Sequence, residues 1–292
     1  MRLTVRHLTV YRYSQPVEFG EHRMMFRPRE SHDLRLLSSE LAISPQPTSI
    51  RWLHDVFDNS LAIATFAGSA SDLRFDSIVT LEHVETALPD YPLETYARSY
   101  PFRYANDELL ELARGRSHHY PSIDVAPWAK QFVDASGTTE TVGLLRSITL
   151  AIKNGFTYQR RSEKGIQSPS ETLQRRSGSC RDFALLMMEA TRSLGLAARF
   201  VSGYIFVPNT EPARVIGGGA THAWAQVYLP GAGWVDFDPT NNIVGNRNLI
   251  RVAVAWDPHR VLPLWGTFIG RPSSFLGMDV SVSVTEENRV FE

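Results

Sequence analysis

The chain has 292 residues, a formal net charge of −1 at pH 7, 43% hydrophobic residues and a single cysteine. This length is sufficient for two modest domains with a substantial hydrophobic core, and the balanced charge gives no reason to expect nucleic acid or an anionic membrane surface as a partner. A single cysteine excludes an intramolecular disulfide, so a disulfide-stabilised secreted protein is not expected.

The sequence also shows no targeting or membrane-spanning segment. Its first residues, MRLTVRHLTVYRYSQ, contain scattered arginines and lack the continuous apolar stretch of a signal peptide. Nowhere do about 18 consecutive apolar residues occur, the length that a membrane-spanning helix requires. We therefore predict a cytoplasmic protein without a membrane partner.

Residues 1–88 have the pattern of a small β-domain. Residues 3–13 alternate in polarity, which places Leu3, Val5 and His7 on one face of a strand. Further β-like runs lie at residues 23–26, 34–43, 50–57, 61–66 and 73–84. Several short strands separated by turn signals predict a β-sandwich.

Proline-containing segments separate this region from a second one. Residues 89–92 (PDYP), followed by Tyr100 and Pro101, interrupt the periodicity. We therefore predict a linker at residues 89–105 and a core domain at residues 106–292. Helical periodicity follows at residues 107–114, 125–135 and 139–153. Packing of these helices around a sheet predicts an α+β fold.

A helix predicted at residues 181–194 has the only cysteine, Cys180, at its first turn. Its apolar residues recur at helical spacing: Phe183, Leu186, Met187, Ala190 and Leu194. Ser177, Gly178 and Ser179 precede it and can cap the helix. The positive end of the helix dipole favours a thiolate over a thiol. Cys180 is therefore a candidate nucleophile.

A hairpin downstream brings a base and an acid together. His222 opens an alternating strand at residues 222–228, and residues 233–237 form the returning strand, with Asp238 directly after it. Adjacent antiparallel strands would bring the Asp238 carboxylate to the imidazole, as in a Cys-His-Asp triad. Asp236 points to the same strand face, so alternation alone does not choose between the two aspartates. Strands at residues 197–207, 249–255 and 278–285 are expected to extend this sheet.

Each member of the predicted triad also has a purely structural interpretation. A free cysteine such as Cys180 is often a small buried hydrophobic residue. His222 can be a hydrogen-bonded strand histidine, and Asp238 can be the cap of an Asp-Pro turn. Spacing alone leaves these interpretations open.

Three segments, SGSCRDFALLMMEATRSLGLAARFVSGY, THAWAQVYLPGAGWVDFDPT and NGFTYQRR, closely resemble the transglutaminase-like cysteine enzymes of bacteria, which are relatives of the papain-like fold. The N-terminal region resembles the β-domain that often precedes such cores. The family's catalytic residues correspond to Cys180, His222 and Asp238, since the family's acid precedes a Pro-Thr pair. At residues 255–259 this chain reads AWDPH where relatives often carry a Gly-Arg-Asp-Tyr-like segment, a difference that concerns substrate preference.

The resemblance implies a cysteine-dependent acyl-transfer enzyme that forms a thioester on Cys180. No cofactor or metal is expected, since the sequence has no clustered ligand spacing and no calcium-loop pattern. Hydrolysis of an amide in a peptide or protein substrate is expected, transfer to an amine is the alternative, and a non-catalytic peptide-binding protein is the second alternative. Tyr158 and Gln174 are candidate oxyanion donors in addition to the backbone N–H of Cys180, and for each the alternative is a structural role in packing or loop hydrogen bonding. Arg181 either attracts a substrate carboxylate or covers a surface. The sequence does not indicate an oligomeric state.

Overall fold

The computed structural model describes residues 1–85, 92–120, 122–160, 165–208 and 215–287. The predicted linker residues Pro89, Asp90 and Tyr91 lie outside the described residues, and so do residues 209–214 of the loop before His222. The domain boundaries predicted at residues 88 and 105 stay a prediction.

The secondary structure consists of short helices and strands of very unequal length. The α-helices are α1 (Asn106–Glu111), α2 (Ala113–Arg116), α3 (Val125–Lys130), α4 (Thr141–Gly155), α5 (Pro169–Arg175) and α6 (Cys180–Ser193). The first eight strands are β1 (Arg2–Met24), β2 (Leu34–Ser44), β3 (Ser49–His54), β4 (Ser60–Thr65), β5 (Ser69–His83), β6 (Ser99–Tyr100), β7 (Thr139–Glu140) and β8 (Thr157–Tyr158). The remaining strands are β9 (Ser177–Gly178), β10 (Ala198–Ile205), β11 (His222–Leu229), β12 (Gly233–Asp238), β13 (Ile243–Val244), β14 (Leu249–Ala255), β15 (Leu264–Ile269) and β16 (Phe275–Glu286).

The five N-terminal strands, β1 to β5, form one seven-stranded antiparallel sheet together with β15 and β16, and β1 is central in it. Along β1, Leu3, Val5, His7 and Thr9 are buried, as the alternation predicts. The predicted sandwich takes the form of a single curled sheet, since the register of β1 with β5 shifts between Arg12 and Val17. The predicted α+β class is confirmed.

The last long strand does not belong to the core sheet. Residues 278–285 were expected there, but β16 pairs with β1 along most of the length of β16, from Leu3 opposite Glu286 to Tyr13 opposite Phe275. β15 also pairs with β1. The expectation is wrong because alternation identifies a strand but not its distant partner.

The core sheet has the strand order β13-β12-β11-β10-β14, and helix α6 packs against β11 and β10. Ala223, Ala225 and Val227 of β11 lie in the same apolar cluster as Leu186 and Met187 of α6. All five side chains are at most 1% exposed. The helix that begins at Cys180 is therefore fixed by close packing on the sheet.

The N-terminal sheet contacts the core sheet through buried polar groups. His7 Nδ1 lies 2.9 Å from the hydroxyl of Tyr204 in β10. The side chain of Asn59, fully buried, donates to the carbonyl of Val254 in β14 and accepts from its N–H, both at 2.8 Å. These contacts fix the N-terminal region relative to the core.

Within the described residues, no helix is both long and apolar enough to cross a membrane. The predicted cytoplasmic location stays a prediction.

The packing of α4 can be tested by truncating a leucine. Leu145 is fully buried, and Leu145→Ala should lower the free energy of unfolding by about 2–5 kcal/mol because it leaves a cavity. Leu150 on the same helix is 44% exposed, and Leu150→Ala should cost less than about 1 kcal/mol. Urea denaturation measures both, and equal losses would contradict the described packing of α4.

Candidate active site

Cys180 is the first residue of α6, and its position depends on a capped helix start. Ser179 is the N-cap, and its backbone N–H and hydroxyl both donate to Asp182 Oδ2 at 2.8 Å. Cys180 itself is 7% exposed. The first N–H groups of a helix have no intrahelical acceptor, and the dipole favours negative charge there. Cys180 therefore lies at the positive end of the α6 dipole.

A short parallel pairing brings a tyrosine close to this helix start. β8 pairs with β9, with Tyr158 opposite Gly178. Burial and the neighbouring Cys180 raise the pKa of Tyr158 to about 12. Tyr158 therefore keeps its hydroxyl proton at neutral pH and can act as a hydrogen-bond donor.

His222 opens β11 and is 1% exposed. It lies opposite Gly203 of β10, and its ring lies against Gly217, where an added Cβ would come within 2.6 Å of Nδ1. Its Nε2 lies 2.8 Å from Asp238 Oδ2. The predicted hairpin thus brings the histidine and this aspartate into contact.

Donors surround the Asp238 carboxylate. Oδ2 accepts from Asn241 Nδ2 at 2.8 Å in addition to His222, and Oδ1 accepts from the backbone N–H of Thr240 at 2.9 Å. Burial by itself raises the pKa of Asp238, but His222 and these hydrogen bonds outweigh it and hold the pKa below its usual range. Asp238 is therefore ionised at neutral pH.

The ionised carboxylate acts in turn on the imidazole. Burial lowers the pKa of His222, but the charge of Asp238 outweighs burial and raises the pKa to about 10, with a contribution from Cys180. Nδ1 is buried without a hydrogen-bond partner among the described residues. Since Nε2 is held by Asp238, Nδ1 is the nitrogen available to the Cys180 thiol.

Asp236 lies on the same strand but serves a different group. It accepts the indole N–H of Trp224 at 2.6 Å and lies 3.3 Å from Arg251 Nη1. Burial raises the pKa of Asp236, and Arg251 opposes this rise. The structure therefore pairs His222 with Asp238 and not with Asp236.

Two other side chains considered from the sequence are engaged elsewhere. Gln174 donates to Ser170 within α5 at 3.3 Å. Arg181 donates to the carbonyl of Pro258 at 2.9 Å and lies over the ring of Phe200. Both side chains thus have intramolecular contacts that account for them.

Sequence reasoning missed two residues around the histidine. Asn241 contacts Asp238, and an amide three residues after an acid is the signal that could have identified it. Trp224 stacks on His222 with ring centroids 5.9 Å apart. Its place two residues along the same strand indicates a shared face but not this stacking.

The effect of Asp238 on His222 can be measured by NMR. In protein labelled with ¹³C at histidine Cε1, the His222 signal, assigned with His222→Ala, should titrate well above the ordinary pKa of about 6.5. Asp238→Asn should lower this pKa, because the charge that raises it is lost while burial remains. An unchanged pKa in Asp238→Asn would contradict the described pairing.

The chain is similar to known proteins over nearly its whole length. A Mycobacterium leprae protein, the uncharacterized ML0607, is 36% identical over 305 residues, which cover 97% of this chain and 98% of the relative. The uncharacterized Rv2569c of Mycobacterium tuberculosis is 30% identical, covering 97% of this chain and 92% of the relative. A candidate cysteine protease of Cytophaga hutchinsonii has the same fold, with a TM-score of 0.72 at 18% identity over 99% of this chain and 92% of that chain.

Two family models match successive parts of the chain. The bacterial transglutaminase-like N-terminal region matches residues 3–82. The transglutaminase-like superfamily core matches residues 128–239, which include Cys180, His222 and Asp238. The chain therefore belongs to the transglutaminase-like superfamily and carries the N-terminal region of its bacterial members.

Proposed function

We propose that this protein is a cysteine-dependent acyl-transfer enzyme that hydrolyses a peptide or isopeptide amide through a thioester on Cys180. The observation that carries the proposal is the buried contact between His222 and Asp238, next to a cysteine at a helix start. In this proposal Cys180 is the nucleophile, His222 the proton carrier and Asp238 the group that orients it.

The proposed reaction has two steps, acylation of Cys180 and hydrolysis of the thioester. The Cys180 thiolate attacks the amide carbonyl carbon, and the protonated Nδ1 of His222 gives its proton to the leaving amine as the C–N bond breaks. A water molecule then attacks the thioester with His222 as its base, and the C–S bond breaks to release the acid and regenerate the Cys180 thiolate beside the protonated imidazole. Asp238 holds Nε2 throughout, so Nδ1 stays directed at the reacting atoms.

Negative charge on the carbonyl oxygen needs donors in both steps. The backbone N–H of Cys180 is the first, since no intrahelical acceptor occupies it. We assign the second to the hydroxyl of Tyr158, which is adjacent to the helix start and protonated at neutral pH. Gln174 is not assigned this role, because its amide is bonded to Ser170.

One observation favours transfer to an amine as a second candidate reaction. Cys180 is 7% exposed and His222 only 1% exposed. A bound acyl donor would cover much of the remaining accessible surface and hinder the entry of water, so an amine brought by its own binding contacts could compete. Mass spectrometry of products formed with and without a primary amine distinguishes the two reactions: a free acid indicates hydrolysis and an amine adduct indicates transfer.

The role of Cys180 can be tested without a known substrate. Because this is the only cysteine, iodoacetamide labelling reports on it alone. The labelling rate at neutral pH should fall about tenfold or more in His222→Ala, since the imidazole no longer accepts the thiol proton. Mass spectrometry of quenched samples gives the rate.

Matched controls accompany this labelling experiment. His54→Ala changes an exposed histidine of β3 and should leave the rate unchanged. Cys180→Ala should abolish labelling and turnover with little change in melting temperature. A cysteine that reacts equally fast with and without His222 would favour a non-catalytic binding protein.

Replacement of Asp238, the orienting acid, should strongly lower the turnover rate. Asp238→Asn should lower kcat by about 10²–10⁴-fold, because the amide cannot stabilise the imidazolium. Asn241→Ala should have a smaller effect, since the hydrogen bond from His222 is kept. Peptidase assays at equal folded fraction measure both, with Asp279→Asn, an exposed surface acid, as the control. If Asp238→Asn is as active as that control, Asp238 has no part in the reaction.

A further inference from the structure

Trp224 forms one wall of the His222 site. The two rings are nearly parallel, with an interplanar angle of 29° and centroids 5.9 Å apart. Trp224 is fully buried. Gly203 makes room for it, because an added Cβ there would approach the indole ring to 2.8 Å. The position of the imidazole plane therefore depends on the position of this indole.

The indole is fixed by a single polar contact. Its N–H donates to Asp236 Oδ1 at 2.6 Å, and Asp236 is 3% exposed. A buried carboxylate that accepts from a ring N–H fixes the rotation of that ring as well as its depth. Contacts that hold the Asp236 carboxylate in place therefore also hold the Trp224 ring.

Arg251 of β14 connects Asp236 to the N-terminal region. Its guanidinium contacts Asp236 Oδ2 through Nη1 at 3.3 Å and Asp33 Oδ1 through Nη2. The three side chains are 12% exposed or less. An arginine between two buried acids has little freedom to move, since each acid needs it as a counter-ion.

Asp33 is itself held in place. Asn246 Nδ2 donates to its second oxygen at 2.8 Å, and the hydroxyl of Ser31 donates to its first. The backbone N–H of Arg29 donates to the carbonyl of Arg251 at 2.9 Å. The segment that connects β1 to β2 is therefore held to β14 by a main-chain hydrogen bond and by the ion pair of Asp33 with Arg251.

We infer that Asp33, Arg251 and Asp236 are positioning residues that hold His222 in its reactive orientation through Trp224. The N-terminal region thereby contributes Asp33 to the function of a site formed by the core. This inference rests on the proposed role of His222 as the partner of the Cys180 thiol.

A double-mutant cycle on Cys180 labelling tests the inference. Asp33→Asn removes the far end of the connection, and Trp224→Phe removes the indole N–H but keeps an aromatic ring beside His222. Each single variant should slow iodoacetamide labelling at neutral pH by about fivefold, and the double variant should be no slower than Trp224→Phe alone. Arg251→Gln should also slow the labelling of Cys180, and Arg251→Lys should slow it less. Melting temperatures verify that each protein is folded at the assay temperature.

Arg6→Gln is the control, because Arg6 also pairs with an aspartate of the N-terminal region, Asp76, but has an exposed side chain on β1. It should label at the wild-type rate. Additive losses in the double variant, or an unchanged rate in Asp33→Asn, would overturn the inference. If His222→Ala labels as fast as wild type, the proposed function fails instead, and the two failures are thus distinguishable.

Discussion

The contact between His222 and Asp238 is the constraint on which the rest of the site depends. Both side chains are at most 1% exposed, and removal of one partner of a buried charged pair leaves the other charge uncompensated. The Asp238 carboxylate also accepts hydrogen bonds from the side chain of Asn241 and the backbone N–H of Thr240. Among the described residues, Nδ1 of the imidazole has no hydrogen-bond partner.

Helix α6 and the N-terminal sheet both contact the core sheet that carries this site. Helix α6 covers one face and presents Cys180 at its first residue, while the N-terminal sheet contacts β10 and β14. His222 is the first residue of β11 and is 1% exposed. A helix packed on a rigid sheet keeps the thiol and the imidazole in register better than a loop would.

Local sequence patterns were sufficient to predict the helix and the strands that carry the site. Helical spacing after Cys180 and strand alternation around His222 predicted α6, β11 and β12 because these elements follow directly from periodicity. Alternation could not separate Asp236 from Asp238, since both share one face, and the structure separates them by their partners, Trp224 and His222. The predicted domain limits and the catalytic roles stay predictions.

Contacts between distant segments were beyond sequence reasoning. Nothing in the pattern around Asp33 indicates Arg251, because an ion pair between residues 218 positions apart leaves no periodic trace. The same reason explains the wrong placement of residues 278–285. A strand on the core sheet and a strand on the N-terminal sheet have the same alternation, and only the packed structure selects between them.

The pairing of β16 with β1 also determines when the protein can finish folding. β1 has β5 on one side and β16 on the other, so one edge of β1 has no partner until residues 275–286 have left the ribosome. Pairing between such distant segments is slow, and an open strand edge can bind a second chain. The nascent protein therefore carries its N-terminal sheet incomplete until β16 has been synthesised and can pair with β1.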